Sequence, residues 1–313
     1  MAHSEVRKKS SSRFYRKRTI QLTALALPSL ILIIIFAYLP MAGIIIAFKD
    51  VNYALGIFKS PWVGFNNFKF FFTSSDSWEV IRNTIGYNAI YILLGTAVAL
   101  VVALLMNEVS HRGLLKFYQT SFFFPYFFSW IVVAYIVYAF MSGYPAGILT
   151  NILNQFGISI QDFYINPSYW PFFIPLINIW KNVGYLSVIF YAALMSLPSD
   201  YAEAASIDGA SRFQSMRYIM LPLIVPVVSI MVLLAVGKIF YSDFGLYYFV
   251  PRQIGQLTSV TQTIDTYVYR MLSTSTDIGM AAASGFFQSV MGMIVVLISN
   301  FVVRRVNSEN SLF

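Results

Sequence analysis

Few residues in this 313-residue chain could carry chemistry, and most of them fall in two stretches. Glu203, Asp208, Arg212 and Arg217 lie within EAASIDGASRFQSMRYIMLP, Glu203 to Pro222, a polar interval between long apolar runs. Asn178, Lys181, Asn182 and Tyr185 sit inside an apolar run at i, i+3, i+4 and i+7, the spacing that puts four residues on one helical face. Asp200, Glu203 and Asp208 are near enough in sequence for paired-carboxylate chemistry. A loop gives them no enclosed pocket, however, and capping or docking accounts for them. His3 and His111 are too few and too scattered for a metal site. Cysteine is absent, which excludes disulfides, thiolate metal centres and a cysteine nucleophile. No Gly-x4-Gly-Lys-[Ser/Thr] phosphate loop occurs, so the chain is not itself an ATPase. No catalytic residue, metal or cofactor is expected.

The elements that must hold these residues are membrane helices. Apolar residues make up 58% of the chain and charged ones 11%, against about 25% charged in soluble domains. Uncharged runs recur at spanning length, and their continuity excludes a β-barrel. The expected class is an all-α polytopic membrane protein with six transmembrane helices, at about 20–47, 82–106, 117–141, 171–197, 221–241 and 279–303. A basic leader (1–19) precedes the transmembrane domain (20–305), and a short tail (306–313) follows it. The first apolar run is too long for a cleaved signal peptide, and Pro28 and Pro40 within it are tolerable in a membrane helix.

The net charge of +8 invites a nucleic-acid reading, but the positions of the charges oppose it. Arg7, Lys8, Lys9, Arg13, Arg16, Lys17, Arg18, Arg112, Lys116, Arg212, Arg217, Arg304 and Arg305 all fall on one side of the six-span topology. Only Lys49, Lys59, Lys69, Arg82, Arg252 and Arg270 fall on the other. The positive-inside rule therefore places both termini in the cytoplasm of a multi-pass cell-membrane protein, facing lipid and not nucleic acid. The outer segment 49–79, with Tyr53, Phe58, Trp62, Phe65, Phe68, Phe70, Phe71 and Phe72, is expected to pack as an aromatic cap. Residues 142–169 suit an outer loop with a short interfacial helix, and 243–277 a last outer loop.

Polar residues inside spans are costly, about 2.5–3.5 kcal/mol for a central lysine, and are usually functional. Lys181 lies about 15 Å into the fourth span, so it must face protein or water. The face Asn178, Lys181, Asn182, Tyr185 fits either a hydrophilic translocation path or a structural stripe bonded to a neighbouring helix. In the last span Ala281, Gly285, Ser289 and Gly292 form a small-residue face suited to close helix packing, and Gln288 beside it could line the path or bond across the packing. Lys238, near a span end, can snorkel.

Glu203–Pro222 reads as two short helices in tandem. Asp200 with Glu203, and Ser211 with Gln214, have capping-box spacing, and Gly209 can take the positive φ that ends the first helix. The pattern Glu203-Ala204-Ala205, three residues, Gly209, nine residues, Ile219, one residue, Leu221-Pro222 resembles the full EAA motif of binding-protein-dependent ABC transporter permeases. The outer segment AFKDVNYALGIFKSPWVGFNNFKFFF, the fourth-span stretch IWKNVGYLSVIFYAAL and the stretches TQTIDTYVYRML and GMAAASGFFQSVMGMIVVLISNFVVRRV resemble permeases of the carbohydrate-uptake type, the alginate- or lipoprotein-type permeases for oligosaccharides and polysaccharides. The resemblance covers nearly the whole chain after residue 20. It implies that 199–220 is a cytoplasmic coupling helix-turn-helix whose Glu203, Ala204, Ala205, Asp208, Gly209 and Arg212 dock an ATPase. It further implies a second permease subunit (normally a homologue), two ATP-binding subunits that use the ATP, an extracytoplasmic solute-binding protein, a saccharide substrate, and alternating access. An ion-coupled secondary carrier and a non-transporting scaffold are the rival classes. Against the carrier, no acid lies mid-span and no second half repeats the first; against the scaffold, the Asn178–Tyr185 face would have no purpose.

Overall fold

The fold is that of a computed structural model, which describes residues 2–69, 73, 75–158, 162–274 and 277–306. Among them every regular element is helical, and a single isolated bridge, Lys49 to Trp62, is the only strand-like pairing. Five helices are long and apolar enough to cross a membrane: α1 (Arg18–Phe48), α2 (Ser77–Asn107), α6 (Pro167–Met195), α8 (Arg212–Val236) and α12 (Ile278–Arg305). A sixth crossing is available only if α3 (Arg112–Phe127) and α4 (Trp130–Met141) count as one span, and these meet at 99°.

That bend departs from the straight third helix expected over 117–141. Pro125 removes a backbone donor and tightens Phe124–Phe127 into a 3₁₀ turn. Ser129, with extended backbone, then accepts a bond from Val132 N and starts a new helix. A second difference lies at α8, which starts nine residues before the expected Leu221. Its first turn is closed by Ser211 and Gln214, and a π turn at Met216–Met220 widens the ladder just ahead of Pro222. The helix therefore runs through the proline, and the expected second short helix is the root of a span.

α1 shows the same device, a π turn at Ile34–Tyr38 ahead of Pro40. Residues 18–42 are exposed throughout, and only the end of α1 packs, where Ala47 meets Ala283 of α12 and Phe68. Above it Phe48 stacks on Trp62 at 5.7 Å and meets Phe65, Phe68 and Phe286 at 5.4–5.7 Å, so the expected aromatic cap forms in part, with Tyr53 and Phe58 exposed. Phe70, Phe71 and Phe72 lie outside the described residues.

The bundle core has two main centres. At one end Ala99, Ala103 and Met106 of α2 pack with Phe190 and Leu194 of α6 and Ile224 of α8. At the other, Val133 and Val137 of α4, Trp170 and Ile174 of α6 and Tyr87 of α2 close around residues 246–257. The segment read as a last outer loop is thus a folded layer: α9 (Phe244–Phe249), α10 (Thr258–Thr261) and α11 (Ile264–Thr274). Its Leu246, Val250, Leu257 and Ile264 are almost wholly buried. A polar stripe on α2 holds it in place. Asn83 Nδ2 donates to the carbonyls of Ser259 and Gln262, Tyr87 donates to that of Val260, and Asn88 to those of Ile239 and Tyr241, all at 2.7–3.1 Å. Each bond satisfies a carbonyl that no helix serves, as an apolar surrounding requires. A short helix, α5 (Ile148–Gln155), does lie within 142–169.

Candidate functional site

Two sets of residues stand out, one at the end of the bundle where α6 hands over to α8 and one at the break between α3 and α4. At the first, α7 (Asp200–Ile207) ends in a Schellman motif. Gly209, at φ 77°, donates to the Ser206 carbonyl, and Ala210 donates to that of Ala205 at 2.9 Å. Ser211 and Gln214 then form the expected capping box, with Ser211 N donating to Gln214 Oε1 at 2.7 Å and Gln214 N donating to Ser211 Oγ at 3.3 Å. The matching expectation for Asp200 and Glu203 fails. Ser199 occupies the N-cap with helical backbone and makes no side-chain bond, so Asp200 and Glu203 both fall in the first turn. There they favour the helix only through its dipole.

Local geometry sorts the motif into inward and outward residues. Ala205 is the buried member of the motif, at 5% exposure. Glu203, Ala204, Asp208, Gly209 and Arg212 are exposed. Beside them stand Ile207 at 86%, Phe213 at 65% and Tyr201 at 48% exposure. A large apolar side chain that open at a helix–turn junction marks a contact surface more readily than a solvated loop. The motif pattern picks out Glu203, Ala204, Ala205, Asp208, Gly209 and Arg212 and does not reveal these three. Arg212 lies 3.6 Å from Glu108 in the turn between α2 and α3, the only ion pair among the described residues, and one too exposed to contribute more than about 1 kcal/mol. The two turns thus share one end of the bundle.

At the second set, Lys181 of α6 is 6% exposed, and its Nζ donates to the Tyr126 carbonyl at 2.8 Å. The same ammonium lies 5.3 Å from the Tyr126 ring centre and 5.2 Å from that of Trp130. Trp130 donates from Nε1 to Asp243 Oδ2 at 2.7 Å, and Tyr185 stacks on Tyr126 at 4.9 Å. A lysine buried in a span is here compensated by one carbonyl left over at a helix end and by two aromatic faces. Gly184 permits the approach. A Cβ there would lie 2.7 Å from Phe123 Cα and closer still to the Phe122 carbonyl.

Lys181 and Tyr185 are therefore brought together, with Tyr126, Trp130 and Asp243 as partners that the sequence did not reveal. Asn182 bonds back to the Asn178 carbonyl of its own helix, and both are half-buried. Gln288 stands apart. At 4% exposure, its amide donates to the Phe240 carbonyl at 2.8 Å and to Asp265 Oδ1 at 3.3 Å, so it bonds across the packing in this arrangement. The small-residue face beside it is only partly used. Gly292 approaches the Gly237 carbonyl at α8, whereas Gly285 and Ser289 are exposed. Among the described residues no group of acids and histidines could hold a metal ion.

Comparison with known proteins follows the same outline. Residues 92–308 match the family described as binding-protein-dependent transport system inner membrane component. Protein LplB of Bacillus subtilis is 34% identical over 94% of this chain and 91% of its own length. The polygalacturonan/rhamnogalacturonan transport system permease protein YteP of the same organism is 31% identical over 90% and 87%. A bacterial ABC transporter involved in the import of the acidic polysaccharide alginate superposes with a TM-score of 0.84 at 31% identity, over 94% of this chain and 99% of that one. The bacterial alginate ABC transporter in complex with its alginate pentasaccharide-bound periplasmic protein gives 0.83 at 31%, over 93% and 96%.

Proposed function

The chain belongs to the binding-protein-dependent transport system inner membrane components, a family of transport permeases and not of enzymes, and we propose that it is the pore-forming subunit of an ATP-driven importer of oligosaccharides or polysaccharide fragments. The observation that carries this reading is the α7 hairpin. A chain that is otherwise apolar presents one short helix closed by a Schellman turn and joined by a capping box to the root of α8, with Tyr201, Ile207 and Phe213 exposed around Glu203. We take that face as the dock for an ATPase on the cytoplasmic side, with both termini on the same side. The saccharide comes from the relatives, since YteP serves a polygalacturonan/rhamnogalacturonan system and the matching structures import alginate.

The mechanism follows from how rigidly the hairpin is tied to the spans. α8 continues from Arg212 into the membrane without a stop, and α7 is fastened to α6 through the Ser196–Ser199 turn. When nucleotide draws two ATPases together, a push on α7 would tilt α6 and α8 as levers. The 99° break between α3 and α4 and the Lys181 cluster lie against α6, so the tilt would be felt where the chain has least regular backbone. Opening to one side and then the other is the alternating access proposed here. The exposed length of α1 and the open Gly285–Ser289 face leave room for a second permease subunit, and the relative in complex with a periplasmic protein supports a solute-binding partner.

The test is copurification of the chain with an ATPase, followed by the ATPase rate of the complex with its binding protein across a saccharide panel. Stimulation by one class of saccharide is expected. A chain that purifies free of any ATPase, with transport that follows an ion gradient, would overturn the proposal.

A further inference from the structure

Pro251 to Ile254 form a tight turn closed by Ile254 N donating to the Pro251 carbonyl at 3.3 Å, at the end of the bundle away from α7. Both central residues have positive φ, Arg252 at 56° and Gln253 at 54°. They are the only non-glycine residues with positive φ among those described. Two such residues in succession are the pattern of a type I′ turn, which favours Asn-Gly because L side chains strain there. Strain retained at a surface turn commonly marks a functional position. Here both side chains are exposed, and both face a cavity.

That cavity is about 290 Å³ and is lined by Tyr135, Tyr248, Phe249, Arg252 and Gln253, with Ile131 and Ala134 at its base. A smaller one of about 40 Å³ adjoins it through Tyr248 and Gln253 and adds Thr258, Gln262, Thr266 and Arg270. The Arg252 guanidinium is held 4.0 Å over the Tyr138 ring and has no carboxylate partner among the described residues. A planar cation held flat on an aromatic ring keeps its N–H fork free for an incoming anion.

We propose that the Arg252-Gln253 turn is an entry subsite that reads the carboxylate of an acidic sugar unit, a refinement that rests on the saccharide-import function proposed above. Arg252 pairs with the carboxylate in bidentate fashion, Gln253 donates to and accepts from ring hydroxyls, and the Tyr135 and Tyr248 rings supply apolar faces for the pyranose. The cavity is at the lower end of ligand-site volumes and suits one sugar ring at a time. An extended protein contact would need on the order of 1,000 Å² of matched surface, which a concave cleft of this size does not offer.

The experiment exploits the turn chemistry. In vesicles holding the whole transporter with its binding protein, uptake of trigalacturonate is compared with that of its neutral methyl ester. Wild type should favour the acid. Arg252→Asn combined with Gln253→Gly gives the turn the pair it favours, so yield should equal or exceed wild type, yet the acid-to-ester uptake ratio should fall about tenfold for the loss of a charge-assisted contact. Arg252→Lys should fall between the two. An unchanged ratio, an equal loss of both substrates (the signature of a binding-protein contact instead), or a wild type indifferent to charge would each overturn the subsite. Failure of wild type to take up either saccharide would overturn the subsite, and only failure across the whole saccharide panel would remove the broader function with it.

Discussion

Gly184→Ala is the sharpest probe of how this chain is held together. A Cβ at 184 would sit 2.7 Å from Phe123 Cα, where ordinary contact begins at 3.4 Å. The neighbours are backbone and cannot swing aside, and the Phe122 carbonyl is closer still, so α6 and the end of α3 must separate by more than about 0.7 Å. That shift lengthens the 2.8 Å bond from Lys181 to the Tyr126 carbonyl beyond about 3.5 Å, where little of it remains. Overpacking costs about 1–3 kcal/mol and a charge-assisted bond about 1.5–3 kcal/mol, so the loss is about 2.5–6 kcal/mol. Against a usual total of 5–15 kcal/mol this should cut the folded yield severely. Gly285→Ala is the control. Nothing lies within 4 Å of its Cβ, and alanine favours a helix interior by up to about 1 kcal/mol. The assay is membrane yield and thermal unfolding of the permease solubilised without partners. Wild-type melting for Gly184→Ala, or equal damage from both variants, would refute the packing scheme.

Three further outcomes follow from the same geometry. Lys181→Met keeps the side-chain stem but leaves the Tyr126 carbonyl unserved, so it should lower the unfolding temperature by the equivalent of about 1–3 kcal/mol. Full stability with changed substrate selectivity would instead assign Lys181 to the translocation path. Gly209→Val forces a β-branched residue to φ 77° and should cost about 1–3 kcal/mol locally, leaving the protein inserted but uncoupling transport, as measured by uptake and by ATPase retention. Near-normal uptake would reduce the hairpin to a linker. Because the chain lacks cysteine, Ser211→Cys and Ser259→Cys, both exposed, can be labelled singly in intact cells with an impermeant thiol reagent. Only Ser259→Cys should react from outside, and labelling of Ser211→Cys would invert the topology.

Features with a local cause were legible in the sequence. Apolar runs locate α2, α6 and α12 to within a few residues, and Ser211, Gln214 and Gly209 announce a capping box and a Schellman turn because those motifs are built from near neighbours. What depends on distant partners was not legible. Tyr126 meets Lys181 through a backbone carbonyl freed by the break at Pro125 and Ser129, and no residue type signals such an acceptor. The stripe Asn83, Thr84, Tyr87, Asn88 reads as unremarkable polarity until residues 239–264 supply the carbonyls and amide that it binds. The layer α9–α11 escapes hydropathy because its buried residues are spread among short turns. The start of α8 was misplaced because Pro222 ordinarily marks a helix beginning, and here a π turn ahead of it lets the helix pass.

The central claim, that this permease is driven by an ATPase seated on α7, is tested most directly by saccharide uptake into vesicles reconstituted with the chain, its partner permease, the ATPase and the binding protein. Uptake should require ATP, be indifferent to dissipation of ion gradients, and fall to background with Glu203→Lys or Ile207→Asp although the permease remains inserted. Uptake that persists without ATP, or that survives both substitutions, would contradict it.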